Sequence, residues 1–209
     1  MTGIVLTKGG RINLAKEAPS LTKVSVGLGW KPNNFNTGTD FDLDASVFIC
    51  TNASGSAQLI SNDYFVFYGK HTEPEGAVEH SGDSRNGTLN IDFGVDANGR
   101  KIEVDEIVTV DFTKLAANVD ELSFIVTIHE ADDRKQNFGQ VSGSVIVLRD
   151  DVSGKILGSY SLEDDFSTET AVQFGSLYKK DGAWLFKAVG AGYNKGLADF
   201  VLAYGGTLA

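Results

Sequence analysis

The sequence predicts a mainly β fold, and three observations carry that prediction. Twenty-four glycines stand against three prolines, short Val/Ile/Phe/Leu runs are separated by turn-like stretches, and several of those runs alternate apolar and polar side chains with a period of two. With 209 residues and 42% hydrophobic content the chain is long enough to bury a large core. β-rich domains of this size are commonly undivided, so residues 1–209 are expected to form one domain without linker or repeat.

The opening Ile4-Val5-Leu6 and Ile12-Asn13-Leu14 flank Lys8-Gly9-Gly10-Arg11 and read as a small glycine-turn hairpin. Val24, Val26, Leu28 and Trp30 share one face of a half-buried strand, and a polar Asn/Gly-rich loop follows from Pro32 to Thr39. The stretch Asp40-Phe41-Asp42-Leu43-Asp44-Ala45-Ser46 then runs into the apolar Val47-Phe48-Ile49-Cys50. Tyr64-Phe65-Val66-Phe67-Tyr68 is strongly β-prone, and residues 69–81 are turn-like. Asp96-Ala97-Asn98-Gly99 predicts a hairpin turn, because Asn-Gly accepts positive φ cheaply, with residues 102–110 as its return arm. Residues 122–128 form a strand apolar enough to be covered on both faces, and residues 145–148 and 156–162 form a further pair.

Two short helices are expected near the C-terminus. In the first, Ser167 or Asp165 caps, Glu169 suits the first turn, and Ala171, Phe174 and Tyr178 share a face. After a strand over residues 184–189 and a glycine loop, the second runs around Leu197, Phe200, Val201 and Tyr204 to Gly205-Gly206.

The net charge of −10, from 28 acids and 18 bases, argues against nucleic-acid binding, which needs Lys/Arg patches on phosphates. The single Cys50 sits in an apolar run, reads as core, and has no partner for a disulfide within the chain. No basic leader precedes an apolar segment and no run approaches a membrane span, so a cytoplasmic protein without direct membrane insertion is expected.

The chemistry concentrates in the aspartates. In extended chain Asp40, Asp42 and Asp44 stand on one face, where like charges repel unless water solvates them or a hard divalent cation with oxygen ligands neutralises them. Both readings are open on this spacing. It is not an EF-hand loop, since counting from Asp40 the sixth residue is Ala45 and the twelfth Thr51. Gly82-Asp83-Ser84-Arg85-Asn86-Gly87 is either a plain connector or a turn facing a cation. Glu103, Asp105 and Glu106 form a second acidic group.

Other chemistries lack their residues. His71, His80 and His129 have no partner at zinc spacing, no nucleophile elbow is present, and the glycines at residues 190–196 are not a phosphate-binding loop. No catalytic residue is assigned and a non-enzyme is expected.

Leu6-Thr7-Lys8-Gly9-Gly10, Val26-Gly27-Leu28-Gly29-Trp30, the Asp40–Ser46 stretch, the turn at residues 82–87, Phe138-Gly139-Gln140-Val141-Ser142-Gly143, Ser167-Thr168-Glu169-Thr170-Ala171 and Trp184-x-Phe186-Lys187-Ala188-Val189-Gly190 resemble, in this order, the motifs of the TerD family of bacterial tellurite-resistance and general stress proteins. The resemblance spans essentially the whole chain. It implies a β-sandwich of two mostly antiparallel sheets that binds one or two calcium ions, without catalytic activity, in a stress-response system with related and membrane-associated protein partners. It implies ligands from Asp40, Asp42 and Asp44, from Asp83 and the main-chain oxygens of Ser84, Arg85 and Asn86, and from Asp105, Glu106 and Glu130. The match departs in a longer hairpin before Asp105 and in Glu130, where relatives often carry Asp, so the second ion is the part it leaves open. Two rival functions use the same acids. One is a divalent-dependent hydrolase, and the other is calcium-dependent docking on anionic lipid through Phe35, Lys31 and Lys70.

Overall fold

The computed structural model describes residues 3–32, 38–96, 98–162 and 166–208. In chain order the elements are β1 (Ile4–Val5), β2 (Arg11–Asn13), α1 (Leu14–Glu17), β3 (Lys23–Gly29), β4 (Leu43–Thr51), β5 (Gln58–Leu59), β6 (Phe65–Val66), β7 (Val78–His80), β8 (Ile91–Val95) and β9 (Lys101–Val104). They continue with β10 (Glu106–Asp111), β11 (Glu121–Ile128), α2 (Ala131–Arg134), β12 (Val145–Asp150), β13 (Ile156–Ser161), β14 (Ala171–Lys180), β15 (Ala183–Tyr193) and α3 (Leu197–Ala203).

Two sheets pack face to face. One has the order β1-β13-β12-β3-β10-β7, and the other β2-β15-β14-β11-β4-β5 with β6 also on β4. Their neighbours run antiparallel except β1 on β13. The alternation read from the sequence supplies the core between them. Val24, Val26 and Leu28 of β3 face Leu43, Ala45, Val47 and Ile49 of β4 and Leu122, Phe124, Val126 and Ile128 of β11 in one apolar cluster. Each such side chain contributes about 1.5–3 kcal/mol on burial, so the register of these strands is firmly set.

The outer faces are covered unequally. β11 is buried on both sides as its sequence predicts, because Ile125 meets Phe48, Phe200 and Val201 beneath α3. β3 was expected to be half-buried and is buried on both faces. The hairpin β8–β9 lies over its outer side, and a Cβ on Gly27 would come within 2.8 Å of Val104 and 3.1 Å of Phe93. Here glycine is required by close approach.

Several expected elements differ. The N-terminal stretch makes the Thr7–Gly10 turn but no hairpin, since β1 joins β13 in one sheet and β2 joins β15 in the other. The turn is a corner between sheets, each offering a free edge. The β-prone run at residues 64–68 keeps only β6 as strand. The Asn-Gly hairpin forms, with Ala97 outside the described residues, but its return arm breaks at Asp105 and continues as β10 in a different sheet. The helix expected after Ser167 is the strand β14, and the glycine stretch from Gly190 belongs to β15 as far as Tyr193. Asp165 lies outside the described residues. The last helix, α3, forms as expected and ends at Gly205, with φ +81°.

Candidate metal centre

The acidic stretch feeds β4. Leu43 and Ala45 turn inward, which sends Asp44 to the opposite face with Ser46 and Phe48. Asp42, just before the strand, is 7% exposed and Asp44 4%. The turn at residues 82–87 comes alongside, and ligand atoms of Asp42, Asp44 and Asp83 lie within 4.8 Å of one another.

Trp30 ties the two segments together. Its indole Nε1 donates to the Phe41 carbonyl at 3.0 Å, and the loop closes over its ring at Gly87, whose φ is +66°. A Cβ there would stand 2.6 Å from that nitrogen.

Glu106, fully buried at the head of β10, braces both segments from behind. Its Oε2 accepts from the Ala45 amide at 2.8 Å and its Oε1 from the Ser84 amide at 3.1 Å. His80 Nε2 lies 3.5 Å from Glu106 Oε2 and 3.1 Å from the Ala45 carbonyl. The Gly82 amide donates to His80 Nδ1, which leaves the ring proton on Nε2. His129 closes the far side, its amide donating to the Asp42 carbonyl at 2.9 Å and its Nδ1 lying 3.7 Å from Asp44 Oδ2. Arg134 Nη1 donates to Asp42 Oδ2 at 3.4 Å.

Packing carboxylates this closely disfavours their charge. Burial, with Glu106, Asp42 and Asp83 adding repulsion, pushes Asp44 up to about 8. Asp42 is raised by burial and by Asp83, against the pull of His129 and Arg134. Glu106 is raised by burial, partly offset by His80 and its two amide donors. Asp42 Oδ1 and Ser84 Oγ are buried with no hydrogen-bond partner. An all-oxygen group containing an orphaned buried carboxylate oxygen fits a hard cation such as calcium.

The other carboxylates implied by the resemblance are not part of this trio. Asp40 is exposed, and its main-chain oxygen accepts from Gln136. Asp105 spends both oxygens on backbone amides, Oδ1 on Leu89 and Asn90 and Oδ2 on Trp30. Arg85 donates to Asp83 Oδ2 at 3.1 Å, and the Asn86 side chain accepts from Thr88. Glu130 has φ +51° and pairs with Arg134 at 3.3 Å, on the rim of a cavity of about 370 Å³ that also touches Asp44, Tyr68 and His129. Of the lipid-docking residues, Lys70 is paired with Asp63 at 2.9 Å, the Lys31 stem lies over Gly143, and Phe35 lies outside the described residues. Sequence reasoning missed His80, His129, Arg134 and Trp30. The only signals for them were polarity at a strand end for His129 and Arg134, and for Trp30 its place in a family motif, which did not say that it joins the two acidic segments.

A family model, the TerD domain, matches residues 1–204. The chain belongs to the TerD family. Its TerD-family relatives include the general stress protein 16U of Bacillus subtilis (strain 168), 42% identical over 202 residues, and the tellurium resistance protein TerD of Serratia marcescens, 41% identical over 202 residues. Both alignments cover 97% of each chain. The TerD fold is matched by the crystal structure of a homologue of telluride resistance protein TerD from Streptomyces coelicolor A3(2), with a TM-score of 0.68 and 21% identity over 87% of this chain and 95% of that one. Among the described residues no helix is long and apolar enough to cross a membrane.

Proposed function

We propose that this chain is a calcium-binding, non-catalytic interaction module of a stress-response and tellurium-resistance system. The observation that carries the reading is the convergence of Asp42, Asp44 and Asp83 within 4.8 Å, with Asp42 Oδ1 buried and unpartnered. These three would hold one calcium ion, and Glu106 would act from behind by fixing the backbone on which Asp44 and the 82–87 turn are mounted. When bound, the ion supplies positive charge that offsets carboxylate repulsion and joins the turn to β4. Asp44 then gives up the proton that burial favours, and the stiffened end of the sandwich becomes the surface that other stress and tellurium-resistance proteins, membrane-associated ones included, recognise. The relatives' names support the biological setting, and the protein is assigned to the cytoplasm in this reading.

The cavity beside Asp44 favours a second reading, a divalent-dependent hydrolase in which the cation activates water. Calorimetry with calcium and with magnesium on chelator-stripped protein, beside an Asp42→Ala/Asp44→Ala variant, tests the first. Calcium-selective binding that disappears in the variant is expected. An absence of heat in the wild type would sink it, and metal-dependent turnover of phosphate or carboxylate esters would favour the second.

A further inference from the structure

The outer face of the second sheet carries an arrangement that the metal centre does not use. Strand register sets Arg11 of β2 directly beside Lys187 of β15, Lys187 beside Ser176 of β14, and Ser176 beside Ser123 of β11. Like charges directly opposite each other on a sheet destabilise it, and a chain of net charge −10 has acids to spare for neutralising them. Yet among the described residues neither Arg11 nor Lys187, nor Lys180 on the same face, has a carboxylate within 4.0 Å. All three line one cavity of about 420 Å³ together with Ser176, Gln173 and Glu121. It adjoins a second of about 390 Å³, which shares Glu121 and Gln173 and extends toward Tyr193. The volumes are those of small-molecule sites.

The floor of this groove is polar and held in place. Gln173 Nε2 donates to Ser123 Oγ at 2.7 Å, and Ser123 Oγ shares a hydrogen bond with the Tyr204 hydroxyl at 2.6 Å. Ser123 is 0% and Ser176 4% exposed, so these groups are part of a packed face. The Gln173 amide hydrogens are committed, while its Oε1 takes no hydrogen bond among the described residues and Glu121 has no ion pair. The groove therefore offers two kinds of unmet demand, three cations that want anionic oxygen and two acceptors that want hydroxyl or amine donors.

We infer that this groove binds a soluble phosphate ester bearing hydroxyl groups, its phosphate seated between Arg11 and Lys187 within reach of Lys180, and its hydroxyls donating to Gln173 Oε1 and Glu121. A dianionic phosphate suits a guanidinium set beside two ammonium groups better than a single carboxylate does. Glu121 selects against a bare polyanion, which it would repel. The groove is separate from the aspartate centre, so it stands or falls independently of calcium binding.

The test is titration of the full chain, followed by two-dimensional amide NMR, with ribose 5-phosphate, glucose 6-phosphate, glycerol phosphate and AMP. Inorganic phosphate, glucose and phosphatidylglycerol vesicles run alongside. At least one ester is expected to bind about tenfold or more tightly than inorganic phosphate, shifting residues 11, 173, 176 and 187. Arg11→Gln/Lys187→Gln is expected to lose about tenfold or more, Lys187→Arg to retain binding, and Asp42→Ala/Asp44→Ala to match the wild type. Failure of every ester to bind, equal binding by the Arg11→Gln/Lys187→Gln protein, or an Arg11- and Lys187-dependent response to vesicles alone would overturn the inference.

Discussion

Replacing Asp44 by Asn should make the metal-free protein more stable at alkaline pH, the reverse of what removing a buried native group usually does. In the folded chain Asp44 is 4% exposed and its carboxyl is raised from 3.8 to about 8. Between those values the folded state holds a proton that the unfolded chain has released. The stability attached to this group is therefore full below about pH 4 and falls as pH rises toward 8. A rise of about 4 units at ~1.4 kcal/mol each sets a ceiling of about 6 kcal/mol on the loss. Asn is nearly isosteric and cannot ionise, so urea denaturation in chelator should show the two proteins close at pH 4.5 and the variant ahead by about 2–4 kcal/mol at pH 9. Saturating calcium should reverse the order, because a ligand at about 1,000 times its Kd stabilises its host by about 4 kcal/mol and the variant lacks the ligand that gains it. A metal-free variant less stable than the wild type at pH 9, or two curves with the same pH slope, would refute the reasoning.

Three further outcomes are expected. Arg134→Gln removes the cation that donates to Asp42, so the metal-free protein should lose about 1 kcal/mol while calcium affinity measured by calorimetry rises several-fold. Asp105→Ala strands the amides of Trp30, Leu89 and Asn90 and should cost about 2–4 kcal/mol in chemical denaturation, by the same amount with calcium and without it, which separates an anchor from a ligand. Glu106→Gln turns an amide donor against either the Ala45 or the Ser84 N–H and should cost about 1–3 kcal/mol, with calcium affinity reduced through the misplaced turn.

The parts of the fold legible in the sequence are those where burial follows the backbone period. In β4 and β11 alternate residues fill the core, and in the β12–β13 pair a turn joins two apolar runs. The period fails in β14. A bulge between Gln173 and Gly175 shifts the register, so Val172, Phe174 and Leu177 point inward while Ala171 packs on the outer side, and the spacing of Ala171, Phe174 and Tyr178 imitates a helix face that the strand does not keep together. The start signal was real but differently used, since Glu169 accepts from the amides of Ser167 and Thr168 to close a turn before a strand. In the candidate metal centre, Asp42 and Asp44 are legible by spacing and Asp83 by the family motif. Asp105 and Glu106 are adjacent acids that look alike in sequence, and only long-range pairing shows that one anchors a loop and the other braces the acidic trio. His80 approaches from β7, with no local pattern to report it, while His129 and Arg134 come from the polar end of β11 and the helix after it, a pattern that does not say what they face.

The hairpin laid over β3 gives this end of the sandwich a third layer, and its consequence is one of protection from solvent exchange. The amides of β3 are paired on both edges and shielded on both faces, so they are expected to open only with the whole molecule, whereas the 82–87 turn is held by the Ser84 amide on Glu106, the Gly82 amide on His80 and the packing of Gly87 on Trp30. Asp44 stands on β4, which is paired along its length with β11, and Asp83 on the turn, so the first is expected to exchange slowly and the second fast. An ion held between them would transfer the rigidity of one to the other, and the turn's amides would report its presence even though the strands scarcely move.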